Sequence, residues 1–390
     1  MKLHRNLALA VIGALQAIFE EKQVASRALD KLFVQNPKWG KRDRAFVAET
    51  TYEIVRWARR LSHAVGSSEN WALLAAQLVR SGVELPDWEE FAPYNAATIQ
   101  AGLDEEVPRA VRESIPDWLD EMGAAQLGAR WDAEISALNA EAPVVLRVNT
   151  LKLSRAELQK QLADEGIETT PVPNLPDALQ METRRSIAHL PLYRDGYFEF
   201  QDAASQLVAP FLRLQSGMKV LDACAGAGGK SLHIAALMRN RGHIVSSDTE
   251  KEKLGELRRR SSRAGISCLE TKTPQTLLSH DQIFERILID APCSGLGTLR
   301  RQPDLKWRLT PEFLEQLQTT QQEILRHYVP MLQSGGFLVY ATCSVLPAEN
   351  ERQIEWLLKQ NLGLHLDESR SVSSATTGFD GFFMARLKMR

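Results

Sequence analysis

What this chain lacks narrows the field before any motif is read. Its 390 residues hold no apolar run near the ~20 residues a membrane-spanning helix needs. It has four cysteines, Cys224, Cys268, Cys293 and Cys343, all in the second half and without paired or metal-type spacing. That usage excludes a disulfide scaffold and a zinc module, predicts no bound metal, and suits reduced thiols in a cytoplasmic protein. There is no internal repeat and no low-complexity tract. The opening stretch "MKLHRNLALAVIGALQAIFEEK" has Gln16 within its apolar part and no clean cleavage site. It reads as an amphipathic helix, not a signal peptide. A strong net charge is also missing, since 47 Lys+Arg stand against 49 Asp+Glu.

What is present is ordinary for a soluble globular protein, with 44% hydrophobic and 25% charged residues. The length suits two or three domains. The balanced charge conceals an asymmetry. Residues 1–65 carry 12 basic and 6 acidic side chains, whereas residues 66–140 carry 4 basic and 14 acidic. A basic first segment suits nucleic acid. By charge alone, a solvated helix face fits equally well.

Apolar residues recur at three- and four-residue spacing in "LALAVIGALQAIF", "ASRALDKLFV", "RDRAFVAETTYEIVRWARRLSHAV" and "NWALLAAQLVRSG", so residues 1–140 read as all-helical. The pattern changes after 141. A β-rich run at 143–150 precedes Ser154, a cap for a helix over 155–165 that Gly166 ends, and a second strand-like run follows. This predicts a small α+β module over 141–215. From 216 to 390 strands and helices alternate: "MKVLDAC", a helix over 229–238, "HIVSSD", a helix over 250–264, "RILIDAPC", a helix over 311–333, "GGFLVYATCS", and a closing "GFFMARLK". Such alternation predicts a mostly parallel, doubly wound α/β sheet with ligands at the carboxyl ends of its strands.

Three motifs carry chemistry. In "VLDACAGAGGKS" a buried strand leads into Cys224, Ala225, Gly226, Ala227, Gly228, Gly229 and Lys230. The ending resembles a phosphate-binding P-loop, but Cys224 stands where that pattern needs its first glycine. An acid begins the loop, which suits a cofactor with a cationic amino-acid portion. Asp248, ending "HIVSSD", lies 20 residues after Gly228, at a spacing typical of a ribose-binding acid. These features favour S-adenosyl-L-methionine, while a P-loop and a purely structural turn stay open. The second motif, "ILIDAPCSGLGTLRRQPDLKWR", delivers Asp290 and Cys293 to a strand end. Its tail of Arg300, Arg301, Lys306, Trp307 and Arg308 reads as an electropositive surface with a stacking group. The third, "LVYATCSVLPAENE", ends a strand in Thr342 and Cys343. Each cysteine alone is best read as a buried thiol. Together they end consecutive strands, which are usually neighbours. Two thiols and an acid at one sheet edge suit pyrimidine C5 methylation, where a thiolate adds at C6 to make C5 nucleophilic.

With these motifs in place, the chain resembles the RsmB-type (Nop/Sun) RNA 5-methylcytosine methyltransferases. The resemblance rests on "LRVNTLK", "GYFEFQDAASQ", "DACAGAGGKS", "DAPCSGLGTLRRQPDLKW", "YATCSVLPAENE" and "GFFMARL". It implies a class I S-adenosyl-L-methionine-dependent methyltransferase fold of Rossmann-like type, preceded by an RRM-like module and a NusB-like helical RNA-binding domain. It implies Cys343 as nucleophile, Cys293 as the cysteine that assists product release, Asp290 as the acid on the cytosine edge and beside the cofactor, and Lys230 near the target base. Cys224 through Lys230 and Asp248 are implied as the cofactor site. The substrate implied is RNA, small-subunit ribosomal RNA first, with no DNA or membrane partner and a monomeric state. Transfer RNA, large-subunit rRNA and a non-catalytic RNA-binding assembly role are the rivals. Two departures stand out. The loop has Gly226-Ala227 where the family usually has Ala-Pro. No aspartate falls in "LETKTPQ" (269–275), where the family places an acid near adenine, and Glu270 is displaced from that position.

Overall fold

The computed structural model describes residues 3–277 and 283–390. It divides into two compact units, one of residues 1–140 with 299–311, the other of residues 141–298 with 312–390. Among the described residues no helix is long and apolar enough to cross a membrane.

The apolar spacing of the first unit becomes the helices Arg5–Phe19, Ala25–Gln35, Lys41–Val65 and Asn70–Arg80. Leu7, Val11, Ala14, Leu15 and Ile18 line one face of the first helix and join Ile54, Val55, Leu61, Leu74 and Leu78 in a single core. Smaller helices, including Ala96–Asp104, Asp117–Leu127 and Arg130–Asn139, complete it.

The long helix Lys41–Val65 is kinked at Trp57, whose backbone sits at φ −110° and ψ 17°. In a straight helix the N–H groups of Arg59 and Arg60 would serve the carbonyls of Val55 and Arg56. Here both sides of that pairing have side-chain partners. Arg59 N–H donates to Ser114 Oγ at 2.8 Å. The Val55 carbonyl accepts from Trp307 Nε1, and the Arg56 carbonyl from Lys306 Nζ, each at 2.7 Å. The basic tail expected to form an electropositive surface therefore has another use. Lys306 is fully buried and Arg300 is 4% exposed, with Arg300 Nη2 donating to the Ala137 carbonyl. Arg308 pairs with Asp304. Long cationic side chains pack their stems and present several donors, which suits them to carbonyls at an irregular helix.

In the second unit, strands β1 (Val145–Val148), β2 (Thr169–Pro171), β3 (Ala178–Met181) and β4 (Phe198–Phe200) form an antiparallel sheet in the order β2-β3-β1-β4. Ser154 caps the helix Arg155–Asp164 with Glu157 reaching back, a capping box. The larger sheet comprises β5 (Lys219–Asp222), β6 (His243–Ser247), β7 (Leu269–Lys272), β8 (Phe284–Asp290), β9 (Leu332–Thr342), β10 (Leu364–Val372) and β11 (Phe382–Met389). Its order is β10-β11-β9-β8-β5-β6-β7, with β9, β8, β5, β6 and β7 parallel and the last two strands antiparallel. The chain runs outward from β5 to β7, then returns to β8 on the other side. The β5/β8 boundary is the topological switch point, where a crevice opens at the strand ends. This is the expected α/β class with its mostly parallel sheet.

Two substitutions test the kink. Ser114→Ala removes the acceptor of a buried N–H and should cost about 1–3 kcal/mol. Trp307→Phe keeps the ring but orphans the Val55 carbonyl, with a cost of the same order. Both should lower the urea midpoint of the full chain.

Candidate active site

Each expected side chain reaches the switch point through its strand. β5 ends in Asp222 and turns through residues 223–228 into the helix Gly229–Leu237. Gly228 has φ +89°, and a Cβ there would lie 2.5 Å from Leu257, so conformation and space both demand glycine. Gly226 (φ +53°) and Gly229 instead have open space where a Cβ would stand. Asp248, just beyond β6, accepts the Gly226 N–H at Oδ2 and the Glu250 N–H at Oδ1, each at 2.8 Å. The glycine loop and the acid expected for ribose are thus tied directly together.

A cavity of about 710 Å³ opens here, walled by Cys224, Gly226, Asp248, Asp290 and Pro292 among others. Ala225, Ala227, Gly228 and Gly229 shape the loop without being among those walls. Its far side comes from residues that sequence reasoning missed: Pro274, and Thr320, Glu323, Ile324, His327 and Tyr328 of the helix Pro311–Tyr328. That helix bears no motif, and nothing in its amphipathic spacing distinguishes a cavity wall from core. Glu270, the displaced acid of "LETKTPQ", pairs with His243 and Lys272. Burial pushes the Tyr328 phenol up to about 12.

Asp222 is a buried acid beneath the loop. It is 1% exposed, and its Oδ2 accepts from Ser231 Oγ at 2.6 Å, with Ser246 donating in turn to Ser231. Its Oδ1 is buried with no partner. Burial pushes this carboxyl up to about 7, against the pull of the Ser231 hydrogen bond. An orphaned acid oxygen beneath an open glycine cradle fits a cofactor whose amino-acid portion is cationic. The residues present therefore fit S-adenosyl-L-methionine. Burial likewise pushes the Cys224 thiol well above its ordinary value.

The chemistry-bearing side chains meet at the ends of β8 and β9. Lys230 Nζ lies 2.6 Å from Asp290 Oδ2 and 5.1 Å from the centre of the Phe382 ring. Burial pulls the Lys230 ammonium down, but the charge and hydrogen bond of Asp290 outweigh it and hold it above its ordinary value. Cys293 and Cys343, both half-buried, place their sulfurs 3.5 Å apart. The hydrogen bond to Cys343, with burial behind it, pushes the Cys293 thiol well above the usual range. Cys268 lies elsewhere, just before β7. Among the described residues no cluster of His, Cys, Asp and Glu could hold a metal ion.

This arrangement can be set beside known proteins. The family model for the 16S rRNA methyltransferase RsmB/F matches residues 209–388. The model for the ferredoxin-like domain of RsmF/B-like methyltransferases matches residues 115–188. A Vibrio cholerae protein named ribosomal RNA small subunit methyltransferase B is 36% identical over 300 residues, covering 74% of this chain and 69% of the relative. A Synechocystis protein named "Probable ribosomal RNA small subunit methyltransferase B" is 35% identical over 306 residues, covering 73% of this chain and 69% of its own. The solved structure of PH0851 superposes with a TM-score of 0.82 over 100% of this chain and 99% of that one; at 22% identity it shows the fold.

A cationic group bound against the buried Asp222 carboxyl would make its binding depend on pH. Asp222 stays protonated in the free protein below about pH 7. A cationic group held against it favours the ionised form, so binding releases a proton in that range. Affinity should rise by up to about tenfold per pH unit until near pH 7 and then level off. Calorimetry in buffers of different ionisation heat reads the proton directly, and Asp222→Asn should abolish it.

Proposed function

The chain belongs to the 16S rRNA methyltransferase RsmB/F family, and on that footing we propose that it forms 5-methylcytosine in small-subunit ribosomal RNA through a covalent cysteine adduct. The observation that carries the proposal is the pair of sulfurs 3.5 Å apart, at the strand ends that also carry an acid paired to a half-buried lysine. An ordinary methyl transfer to an amine or hydroxyl needs no second thiol. Transfer to a pyrimidine carbon gives both thiols work, one to attach and one to assist detachment.

S-adenosyl-L-methionine is the cofactor, and when bound it supplies an electrophilic methyl group on a sulfonium. The rest of the chemistry is assigned to this chain. Asp222, the loop from Cys224 to Lys230, and Asp248 hold the cofactor, with Asp290 at the edge of the same cavity. Cys343 donates a sulfur electron pair to cytosine C6, which shifts electron density toward C5. Charge then develops on the ring edge at N3, where a hydrogen-bond donor is required. Asp290 faces that edge, and Lys230 at 2.6 Å is a cation from which Asp290 can draw a proton. After methylation water or another base at the site takes the C5 proton, the C5–H electron pair re-forms the C5–C6 double bond, and the Cys343–C6 bond breaks with its pair returning to sulfur. Cys293, no longer hydrogen-bonded to a free Cys343 thiol, stands beside the adduct and assists that elimination. The target base must be unstacked for the sulfur to reach C6.

Incubating the protein with methyl-labelled S-adenosyl-L-methionine and RNA from cells lacking its gene should place label in 5-methylcytosine of the small-subunit RNA. Label on another base would overturn the C5 chemistry, and label in transfer RNA or large-subunit RNA would overturn the substrate. Cys343→Ala should abolish transfer. Cys293→Ala should form the adduct but release it slowly, leaving a protein–RNA band on a denaturing gel. An active Cys343→Ala would reverse the roles of the two cysteines.

A further inference from the structure

One buried acid at this site has no part in the chemistry of methyl transfer. Glu349 is 0% exposed, yet it lies next to both cysteines through their following residues. Its Oε2 accepts from Ser294 Oγ and Ser344 Oγ, each at 2.5 Å. Its Oε1 accepts the Ser294 backbone N–H at 2.8 Å and Gln321 Nε2 at 3.1 Å. Ser294 follows Cys293 and Ser344 follows Cys343, so a single carboxylate joins the two cysteine turns.

The two turns are built alike. Ser294 Oγ accepts the Leu296 N–H and Ser344 Oγ accepts the Leu346 N–H, two residues onward in each case. The serine oxygens are 3.2 Å apart, parallel to the sulfurs at 3.5 Å. Gln321, from the helix that walls the cofactor cavity, also donates to the Pro292 carbonyl. Four donors converging on two oxygens call for a carboxylate, the side chain that accepts twice at each oxygen. An amide in its place offers one acceptor oxygen and adds donors where donors already crowd.

We propose that Glu349 is a positioning residue that locks the Cys293–Ser294 and Cys343–Ser344 turns to each other, and thereby sets the distance between the two sulfurs on which release of the covalent adduct depends. The inference rests on the proposed 5-methylcytosine chemistry. Glu349 hydrogen-bonds neither sulfur: its hold on the turns runs through Ser294 and Ser344, while its charge adds to the upward push on the Cys293 thiol. A loss of this lock should affect steps that need both cysteines more than steps that need one.

Full-length Glu349→Gln tests the proposal in two ways. Without RNA, the diazene oxidant diamide closes a Cys293–Cys343 disulfide. The two thiols lose two protons and two electrons, the S–S bond forms, and diamide is reduced to its hydrazine. Closure, followed by mass spectrometry of the linked peptides, should slow on the order of tenfold or more relative to the unsubstituted protein, as expected when reacting atoms lose their alignment. Alkylation of either thiol alone by iodoacetamide should not slow, since loss of the Glu349 charge eases ionisation of Cys293. With RNA and labelled cofactor, kcat should fall, the fraction of protein trapped as adduct should rise, and KM for the cofactor should stay unchanged. Closure and adduct fraction equal to those of the unsubstituted protein would overturn the proposal. If Glu349→Gln shows no cooperative melt, Ser294→Ala and Ser344→Ala each remove one donor while keeping the acid, and unchanged closure in both would overturn it equally. Should neither the unsubstituted protein nor Cys293→Ala form an adduct, the proposed function fails, and the disulfide arm still decides the role of Glu349.

Discussion

The site depends on the parallel pairing of β8 and β9. Asp290 lies opposite Ala341 in that register, and the Ala291 N–H extends the ladder to the Ala341 carbonyl. The chain then carries Cys293 three residues beyond Asp290, and Cys343 two residues beyond Ala341. Parallel strands finish at the same edge, so two cysteines 50 residues apart in sequence arrive side by side, where Glu349 joins the turns that carry them. A one-residue slip would turn every side chain of a strand to the opposite face. The buried runs of both strands resist it: Ile287, Ile289, Leu338 and Tyr340 fill one core, and Leu288, Val339 and Ala341 the other. Hydrophobic burial of the sheet thus sets the register, and the register sets the chemistry.

Buried polar groups of this protein fall into two kinds, those with every partner in place and those with one left open. Glu349 has a donor on every side and no room for another. Lys306, in the other unit, is likewise directed at the Arg56 carbonyl and Asn139 Oδ1. Burial pushes the Lys306 ammonium well below its ordinary value, and those acceptors limit the cost of holding a donor there. Asp222 differs, since one oxygen is satisfied by Ser231 and the other is bare. A buried acceptor with no partner costs free energy in the empty protein and recovers it when a matching group arrives. Saturation marks Glu349 as part of the frame, and the unfilled oxygen leaves Asp222 able to accept one more donor.

How much of this could be read in the sequence follows from how local each cause is. Helices such as Arg5–Phe19 and Lys251–Ala264 declare themselves through spacing, and the glycine loop through its composition. The meeting of Cys293 and Cys343 was legible because strand alternation implies parallel pairing. β10 was not, because most of its residues, such as His365, Asp367 and Glu368, are exposed and carry no apolar alternation. The tail from Arg300 to Arg308 misled for a related reason. Charge in a sequence suggests surface, but the kink at Trp57 creates a demand for buried donors that only three-dimensional structure reveals. Glu349 was hidden within "PAENE", where nothing distinguishes a brace from a surface acid.

The glycine loop shows how the small sheet serves the same site. A loop with two residues at positive φ is entropically loose, and here Ala227 stands where proline would have stiffened it. Its carbonyls are held from outside. Arg147 of β1 donates to the Gly229 carbonyl at 2.5 Å, and Arg260 donates to the Ala227 carbonyl at 2.7 Å. Arg260 is in turn paired with Glu199 of β4, which also holds Arg263. Hydrogen bonds from charged donors are worth roughly 1.5–3 kcal/mol each, enough to offset the ordering of a few loop residues. Both guanidiniums are aimed by β1 and β4, so the antiparallel sheet acts as a back plate for the cofactor loop. A loop that lacks rigidity of its own has it supplied by neighbours, and the small module braces the glycine loop rather than being a mere attachment.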